Sequence, residues 1–340
     1  MSTMKSVVVT GADRFEVLEV ERPKAGPADI LVKVRACGIC GSDAFYIHIG
    51  GIPPHQGNTP LGHEIAGEIV EIGSTVTGLA IGDHVVVDPT VAPTGIIGNG
   101  GTTGGLSDFL LVENAEVGRS VAVVPKHIPF EVAALNEPMA VARHAVNRAN
   151  PQPGDRAVIF GAGPIGLGAL IDLTLRGVET VVIDVQPTRL AKALLIGASA
   201  VINSLEEDVA ARLIELHGDA PVRAGDHRPG SDIYIDAAGV PAVIQSVQKL
   251  AKHGARLSIV AVHKTPVEVD FGALLSTELT ITLSRGYPTE IFEVTNDIIA
   301  AWERYAMIIS DTLPFDRVKE ALTLSMTPGA ADKVVVTFGD

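Results

Sequence analysis

Three short segments of the chain carry side chains of the types that hold catalytic metal ions. They are Gly38-Ile-Cys40-Gly-Ser42-Asp43, Gly62-His63-Glu64 and Asn136-Glu137-Pro138. A thiolate, an imidazole and a carboxylate are typical ligands of a catalytic zinc, which keeps one position open for water or substrate. Zinc lowers the pKa of a bound alcohol, so that an alkoxide forms near neutral pH and can expel a hydride. The residue types are those of a catalytic zinc site, but each segment alone is more often a buried thiol, a solvated turn or a helix start, and spacing alone does not bring them together.

A glycine-rich turn is the second motif whose residues could bind a ligand. Gly161-Ala-Gly163-Pro164-Ile165-Gly166 follows the apolar run Arg156–Phe160 and opens an apolar helical segment. In this pattern the first glycine allows a tight turn, the second lets the backbone approach a pyrophosphate, and the third lets helix and strand pack closely. The helix N-terminus offers unpaired N–H groups and a positive dipole end to the anion. The pattern predicts a dinucleotide site.

Asp184 bears on which dinucleotide binds. It lies 23 residues after Gly161 and ends the next apolar run. A carboxylate there accepts hydrogen bonds from the adenosine ribose hydroxyls and repels a 2′-phosphate, which favours NAD over NADP. Arg189 is near enough in sequence to face either a phosphate or the adenine. Val260 and Val262 follow a predicted strand on the cofactor side, and we expect their backbone groups to contact the nicotinamide.

The first part of the chain, which must position the metal-binding residue types, has the pattern of a β-rich domain. Short runs rich in Val and Ile are separated by Gly, Pro and Asp, as strands and turns are. The predicted strands are Ser6–Thr10, Phe15–Val20, Ile30–Ala36, Ile65–Ile72, His84–Val87, Phe109–Val112 and Val121–Val124.

The pattern changes after residue 130. A helix is predicted over Glu131–Ala149, and strand-like and helix-like segments then alternate to Val260. Such alternation indicates βαβ units and a parallel sheet. A helical segment, Glu290–Trp302, and a closing strand, Lys333–Phe338, come last. We therefore predict a β-rich domain made of residues 1–149 and 288–340, interrupted by a parallel α/β domain of residues 150–287.

Composition excludes several classes of function. The 340 residues are 46% hydrophobic, which argues against disorder. The net charge of −14 argues against binding to nucleic acid or to an anionic membrane, because both are negatively charged. Neither a secretory pattern nor a spanning segment is found, so we expect a soluble, cytoplasmic protein.

Together these motifs resemble the zinc-containing medium-chain alcohol dehydrogenase family. Gly62-His63-Glu64-Ile-Ala-Gly67, with Gly73 and Val76, is similar to the family's zinc signature, and Gly82-Asp83, Glu137-Pro138 and the glycine-rich turn follow in the family's order. The resemblance covers essentially the whole chain and points to the sorbitol, polyol and threonine dehydrogenase branch. It implies an α/β fold, in which a doubly wound parallel sheet of Rossmann type is inserted in a β-rich, GroES-like catalytic domain.

The resemblance also implies roles for individual residues. Cys40, His63 and a glutamate are the implied zinc ligands, and that glutamate is either Glu64 or Glu137. We expect Cys40, His63 and Glu64 to bind zinc directly, and Glu137 to bind it directly or through water. Ser42 matches the hydroxyl that accepts the substrate proton.

The chain departs from the family in ways that change these expectations. The segment 92–105 has no cysteine where many relatives hold a structural zinc, and the chain contains only Cys37 and Cys40. We therefore expect one zinc per subunit and no four-cysteine site. Phe45 replaces the histidine that usually relays the proton from the serine, which leaves Tyr46, His48 or water for that step. Lys333, before the closing strand, is predicted to be solvated.

These observations predict an enzyme that transfers a hydride between a secondary alcohol or polyol and NAD with the help of zinc. The expected partner is a small alcohol or ketone, and the family implies a homodimer or homotetramer. A zinc-independent reductase of activated double bonds on the same scaffold is a second hypothesis. A dinucleotide-binding protein without catalysis is the third.

Overall fold

The computed structural model describes residues 2–223, 225–327 and 329–339. The chain divides into two compact units, one of Met1–Glu137 with Ile291–Asp340 and one of Pro138–Glu290. Residues 138–149, which the sequence assigned to the first domain, thus belong to the second unit. They are part of one helix whose Met139 and Ala142 pack so closely on Gly168 that a Cβ there would lie 2.7–2.9 Å from them.

The first unit begins with eight strands and three helices. They are β1 (Thr3–Gly11), β2 (Arg14–Glu21), β3 (Ile30–Gly38), α1 (Gly41–Ile49), β4 (Thr59–Pro60), β5 (Glu64–Ile72), β6 (His84–Val87), β7 (Phe109–Val112), β8 (Val121–Val124), α2 (Phe130–Ala133) and α3 (Asn136–Ala149), of which α3 continues into the second unit. The predicted strands of this part are confirmed. The predicted helix over Glu131–Ala149 is two helices, α2 and α3, with a break at residues 134–135.

The second unit is an alternating α/β structure. Its elements are β9 (Arg156–Phe160), α4 (Pro164–Leu175), β10 (Glu179–Asp184), α5 (Pro187–Ile196), β11 (Ala200–Asn203), α6 (Val209–His217), β12 (Ile233–Asp236), α7 (Pro241–Leu250), β13 (Arg256–Ile259), α8 (Phe271–Leu274) and β14 (Thr280–Leu283). The six strands form one parallel sheet in the order β11-β10-β9-β12-β13-β14. The doubly wound parallel sheet predicted from the alternation is confirmed.

The chain then returns to the first unit through α9 (Glu293–Ala306), β15 (Asp311–Pro314), α10 (Val318–Met326) and β16 (Val334–Thr337). The strand β16 pairs with β3 and completes a seven-stranded sheet in the order β15-β16-β3-β5-β6-β8, in which β7 also pairs with β3. A second sheet has the order β2-β1-β4. Because β16 lies beside β3, the end of the chain reaches the segment that carries Cys40.

Each unit has its own apolar core. In the first unit, Val7, Ile30, Ile65 and Leu106 are among the fully buried residues. In the second, the central strand β9 is buried on both faces, as its continuous apolar run Ala157–Phe160 requires. Within the described ranges, no helix combines the length and the apolar character needed to cross a bilayer.

The nine-residue helix α1 was not predicted. Its sequence, GSDAFYIHI, contains glycine, serine and several β-branched or aromatic residues, which are weak helix formers. Local hydrogen bonds compensate for this composition: the Asp43 side chain accepts the backbone N–H of Cys40, and Gly50 ends the helix in the left-handed conformation with a φ of 80°. The helix matters because it begins directly after Cys40.

Candidate metal and dinucleotide sites

Strand pairing brings two of the metal-binding segments together. The strands β3 and β5 are antiparallel, and Gly38 lies opposite Glu64. Cys40 follows β3, and His63 directly precedes β5, so both lie at the same end of the pair. The donor atoms of Cys40, His63 and Glu64 all lie within 4.8 Å of one another. Since zinc binds such donors at about 2.0–2.3 Å, this spacing fits one shared zinc ion.

The three donors are shielded to different degrees. Glu64 and His63 are buried, and Cys40 is partly exposed. Residue 38 must be glycine beside them, because a Cβ there would overlap the Glu64 carboxylate. Glu137 is not in this group of donors. Its negative charge is nonetheless close enough to raise the pKa of His63 and of Lys333.

Asp43 lies next to both Cys40 and His63. It is wholly buried, and its Oδ2 accepts the Cys40 backbone N–H at 2.9 Å. Its Oδ1 lies 3.7 Å from His63 Nδ1, which is close enough for electrostatic attraction but too far for a hydrogen bond. Burial raises the pKa of Asp43, and the His63 ring opposes that shift. Burial lowers the pKa of His63, but the negative charges of Asp43, Cys40 and Glu137 outweigh burial and leave it well above its usual value.

Lys333 is buried beside Glu64, so the prediction of a solvated lysine is wrong. Only 3% of its side chain is exposed, its ammonium forms an ion pair with Glu64 Oε2, and it donates to the Ile39 carbonyl at 3.0 Å. Burial lowers the pKa of Lys333, but the charges of Glu64, Cys40 and Glu137 raise it above its usual value. The cause is strand pairing, because β16 lies antiparallel to β3 with Val335 opposite Gly38.

Ser42 and Tyr46 are one turn apart on α1. The Ser42 Oγ is buried and has no hydrogen-bond partner among the described residues. The Tyr46 hydroxyl donates a hydrogen bond to Asn99 Oδ1, on the loop that contains no cysteine. Burial raises the pKa of Tyr46. His48 instead points to solvent, with 74% of its side chain exposed and its Nδ1 3.0 Å from Asp13.

In the second unit, the glycine-rich turn joins β9 to α4. Gly161 has a φ of 100°, and a Cβ there would lie 3.0 Å from the backbone of Ala237. Gly163 is the N-cap of α4, and a Cβ there would meet nothing within 4 Å. Pro164 and Ile165 form the first turn of α4, and Gly166 packs directly on the Gly161 carbonyl.

Asp184 connects this turn to the neighbouring strand. Its Oδ2 accepts the Ala162 N–H at 2.7 Å, and its Oδ1 accepts the N–H groups of Val185 and Gln186 at 2.7 and 2.8 Å. Arg189 lies in the first turn of α5. The carboxylate is therefore fixed at the carboxyl end of β10 by three backbone donors.

Val260 and Val262 lie on the loop that follows β13. The Val260 N–H donates to the Asp236 carbonyl at 3.1 Å, and Val262 is 84% exposed. Asp236 was not singled out from the sequence, and neither was His263, which contacts it. Their only signal in the sequence is an Asp at the end of a predicted strand and a His just beyond the next one.

Comparisons with known proteins agree with the motifs. Residues 26–125 match the family described as "Alcohol dehydrogenase GroES-like domain", and residues 164–303 match "Zinc-binding dehydrogenase". The (R,R)-butanediol dehydrogenase of Bacillus subtilis is 31% identical over 80% of this chain and 82% of its own length. The L-threonine 3-dehydrogenase of Symbiobacterium thermophilum is 30% identical over 94% of this chain and 93% of its own.

A solved structure matches the fold along nearly the full chain. The crystal structure of 2R,3R-butanediol dehydrogenase from Bacillus subtilis superimposes with a TM-score of 0.86 at 26% identity, covering 98% of this chain and 99% of that one. Both the β-rich, GroES-like part and the parallel α/β part of the fold thus have counterparts in known dehydrogenases.

Proposed function

Since the chain belongs to the zinc-containing medium-chain alcohol and polyol dehydrogenase family, which moves a hydride between an alcohol and a nicotinamide, we propose that it interconverts a secondary alcohol or polyol and its ketone with NAD. The observation that carries the proposal is the convergence of Cys40, His63 and Glu64 within 4.8 Å. A zinc-independent reductase of double bonds has no need of such a donor group.

We propose that Cys40, His63 and Glu64 hold the zinc, and that Glu137 binds it directly or through water. When bound, zinc supplies Lewis acidity that lowers the pKa of the substrate hydroxyl. The residues around it set the charge of the site: Lys333 balances Glu64, and Asp43 lies next to Cys40 and the His63 ring. No four-cysteine site is possible with two cysteines, so one zinc per subunit is proposed.

Ser42 is proposed to take the substrate proton. Its hydroxyl has no other hydrogen-bond partner within the described part of the chain, and Tyr46 lies one turn along the same helix. As Ser42 accepts that proton it gives its own hydroxyl proton to Tyr46, and Tyr46 gives its own to water, exchanging its hydrogen bond to Asn99 Oδ1 for one to the water. This route replaces the usual relay through a histidine, which is absent because residue 45 is Phe. His48 takes no part, because its ring points to Asp13.

The dinucleotide is proposed to be NAD, with its pyrophosphate at Gly161, Gly163 and the α4 N-terminus. Asp184, held by three backbone N–H groups, presents a fixed negative charge that a 2′-phosphate would meet unfavourably. Arg189 is proposed to lie along the adenine, and Val260 and Val262 are proposed to contact the nicotinamide.

We also propose that the protein is a cytoplasmic homodimer or homotetramer. The strand β14 is an edge of the six-stranded sheet, with Leu283 71% exposed on it, and the nearby Phe271 and Leu275 are 76% and 80% exposed. Edge strands with apolar neighbours favour pairing with another chain. Both cysteines are unpaired, as expected in a reducing compartment.

The experiment is metal analysis of the purified protein together with NAD reduction across a panel of secondary alcohols and polyols. We expect one zinc per chain, turnover of at least one alcohol, and loss of turnover on chelation that zinc restores. A folded protein that takes up no zinc and oxidises none of the alcohols contradicts the proposal. Full activity after complete removal of zinc favours the zinc-independent reductase instead.

A further inference from the structure

A second buried charge network lies in the α/β unit, one strand away from the glycine-rich turn. Asp236 is completely buried at the carboxyl end of β12. Its Oδ1 accepts the N–H groups of Ala238 and Gly239 at 3.0 and 2.9 Å, and its Oδ2 accepts His263 Nε2–H at 2.7 Å. Neither the sequence motifs nor the proposed zinc chemistry involves Asp236 or His263.

The same aspartate holds the loop after β13 by its backbone. The Asp236 carbonyl accepts the N–H groups of Val260 and Ala261, both at 3.1 Å. A Cβ on Gly239, whose φ is 69°, would lie 2.9 Å from the Val262 carbonyl, so the loops after β12 and β13 are in close contact. We name residues 260–263 the β13 loop. Asp236 thus anchors both ends of this loop, through its backbone at one end and through His263 at the other.

The order of the strands shows what this loop faces. From β9 the chain winds through β10 to β11 on one side of the sheet, and β12 and β13 lie on the other side, so the direction reverses between β9 and β12. Dinucleotides bind across the carboxyl ends of the strands at such a switch point. If Gly163 and Asp184 take the pyrophosphate and the adenosine, the nicotinamide half must extend toward β12 and β13.

We propose that His263 is a positioning residue for the nicotinamide half of the cofactor, an inference that rests on the proposed dinucleotide site. Its Nε2–H bond to Asp236 holds the β13 loop in the conformation that receives this half of the cofactor. The other ring nitrogen, Nδ1, has no hydrogen-bond partner among the residues described, so the bond to Asp236 is the polar anchor of the ring. A bond to a buried carboxylate is charge-assisted, so its loss frees the His263 end of the loop, while the backbone bonds of Val260 and Ala261 still hold the other end.

The test compares NADH with ADP-ribose, which lacks the nicotinamide. Binding of NADH is followed by its fluorescence and binding of ADP-ribose by calorimetry, on the full chain, with thermal unfolding measured in parallel. We expect His263→Ala to weaken NADH binding about tenfold, the loss of roughly one such hydrogen bond, while ADP-ribose binding changes less than about twofold. His263→Gln, whose amide N–H can still reach Asp236, is expected to restore most of the NADH affinity.

The matched control is His253→Ala, which alters an exposed histidine of the same unit and is expected to change neither affinity. Unchanged NADH binding in His263→Ala, or an equal loss for NADH and ADP-ribose, overturns the inference. A failure of His263→Gln to restore NADH affinity also counts against the hydrogen bond. Wild-type protein that binds neither ligand overturns the proposed dinucleotide site itself, which is a separate result.

Discussion

The two candidate sites satisfy their buried polar groups in opposite ways. In the α/β unit, the carboxylates of Asp184 and Asp236 accept hydrogen bonds from backbone N–H groups of the turns that they organise. In the β-rich unit, the Ser42 Oγ, Asp43 Oδ1, His63 Nδ1 and Glu64 Oε1 have no hydrogen-bond partner within the described residues. Buried polar atoms without partners are costly, and each needs an explanation. The two carboxylates of the dinucleotide site are thus held by the backbone around them, whereas these four polar atoms of the candidate metal site are not held by hydrogen bonds from the described part of the chain.

This difference predicts different responses to mutation. A group of donors that share one ion fails as a unit when one donor is lost. A turn held by several backbone hydrogen bonds loses only part of its function when one side chain changes.

The largest effect is expected from Cys40→Ser, which removes the thiolate from the metal site. Zinc content should fall to near zero, and kcat/KM should fall by at least about 10³-fold, because a Lewis acid supplies several kcal/mol of transition-state stabilisation. Cys37→Ser is the matched control, since Cys37 is buried but is not in the donor group. If Cys40→Ser retains zinc and activity while Cys37→Ser loses both, the ligand assignment is wrong.

Lys333→Met should have the largest effect on stability. It leaves the Glu64 carboxylate buried without its cation, and breaking such a pair costs about 3–5 kcal/mol in the free energy of unfolding. Added zinc should return part of that loss, because the ion balances the same charge. The control, Arg317→Met, breaks an exposed pair with Glu320 and should cost less than about 1 kcal/mol. Chemical denaturation with and without zinc measures both, and equal stabilities would refute the role given to Lys333.

Glu290, in the α/β unit, predicts how the free energy of unfolding depends on pH. Burial raises its pKa, but hydrogen bonds from His144, Thr289 N–H and Asn147 lower it to about 2 from an ordinary 4.5. A carboxyl whose folded pKa is lowered stabilises the protein fully above its unfolded pKa, and that stabilisation is lost as the pH falls toward the folded pKa. The stability advantage of wild type over Glu290→Gln should therefore shrink by about 3 kcal/mol between pH 5 and pH 2.

Denaturation across this pH range measures the difference. The control is Glu206→Gln, which alters an exposed carboxylate of the same unit and should leave the gap to wild type constant. A gap between wild type and Glu290→Gln that stays constant from pH 5 to pH 2 would show that the ionised carboxylate does not stabilise the fold.

The smallest effect is expected from Asp184→Asn. The amide oxygen can still accept backbone hydrogen bonds, so the turn should stay formed, but the charge that disfavours a 2′-phosphate is gone. The ratio of kcat/KM for NAD to that for NADP should fall about tenfold. A change of this size is expected when one charged interaction with the cofactor is lost. Asp208→Asn, at the start of α6 and away from the turn, should leave the ratio unchanged. An unaltered ratio in Asp184→Asn would remove the basis for the NAD preference.

The same contrast explains what the sequence could predict. The dinucleotide motif is one continuous strand, turn and helix, so its pattern alone indicates the local structure around Gly161 and Asp184. The alternation of strands and helices likewise predicts the parallel sheet. Short-range periodicity carries all of this information.

The surroundings of the metal site depend on contacts between residues far apart in the chain. Lys333 lies 269 residues after Glu64, and only the pairing of β16 with β3 brings it there. The hydrogen bond from Tyr46 to Asn99 and the link from His263 to Asp236 depend on tertiary contacts in the same way. Residue types predicted the metal donors, and the resemblance grouped them, but no local pattern could have predicted the buried cation.

The most direct test of the central claim is X-ray absorption at the zinc edge of the purified protein, compared between wild type and Cys40→Ser. We expect one zinc per chain, with a single sulfur at about 2.3 Å and the remaining ligands nitrogen and oxygen at about 2.0–2.2 Å, and no sulfur ligand in the variant. A wild-type spectrum without a sulfur ligand, or an active protein that holds no zinc at all, would contradict it.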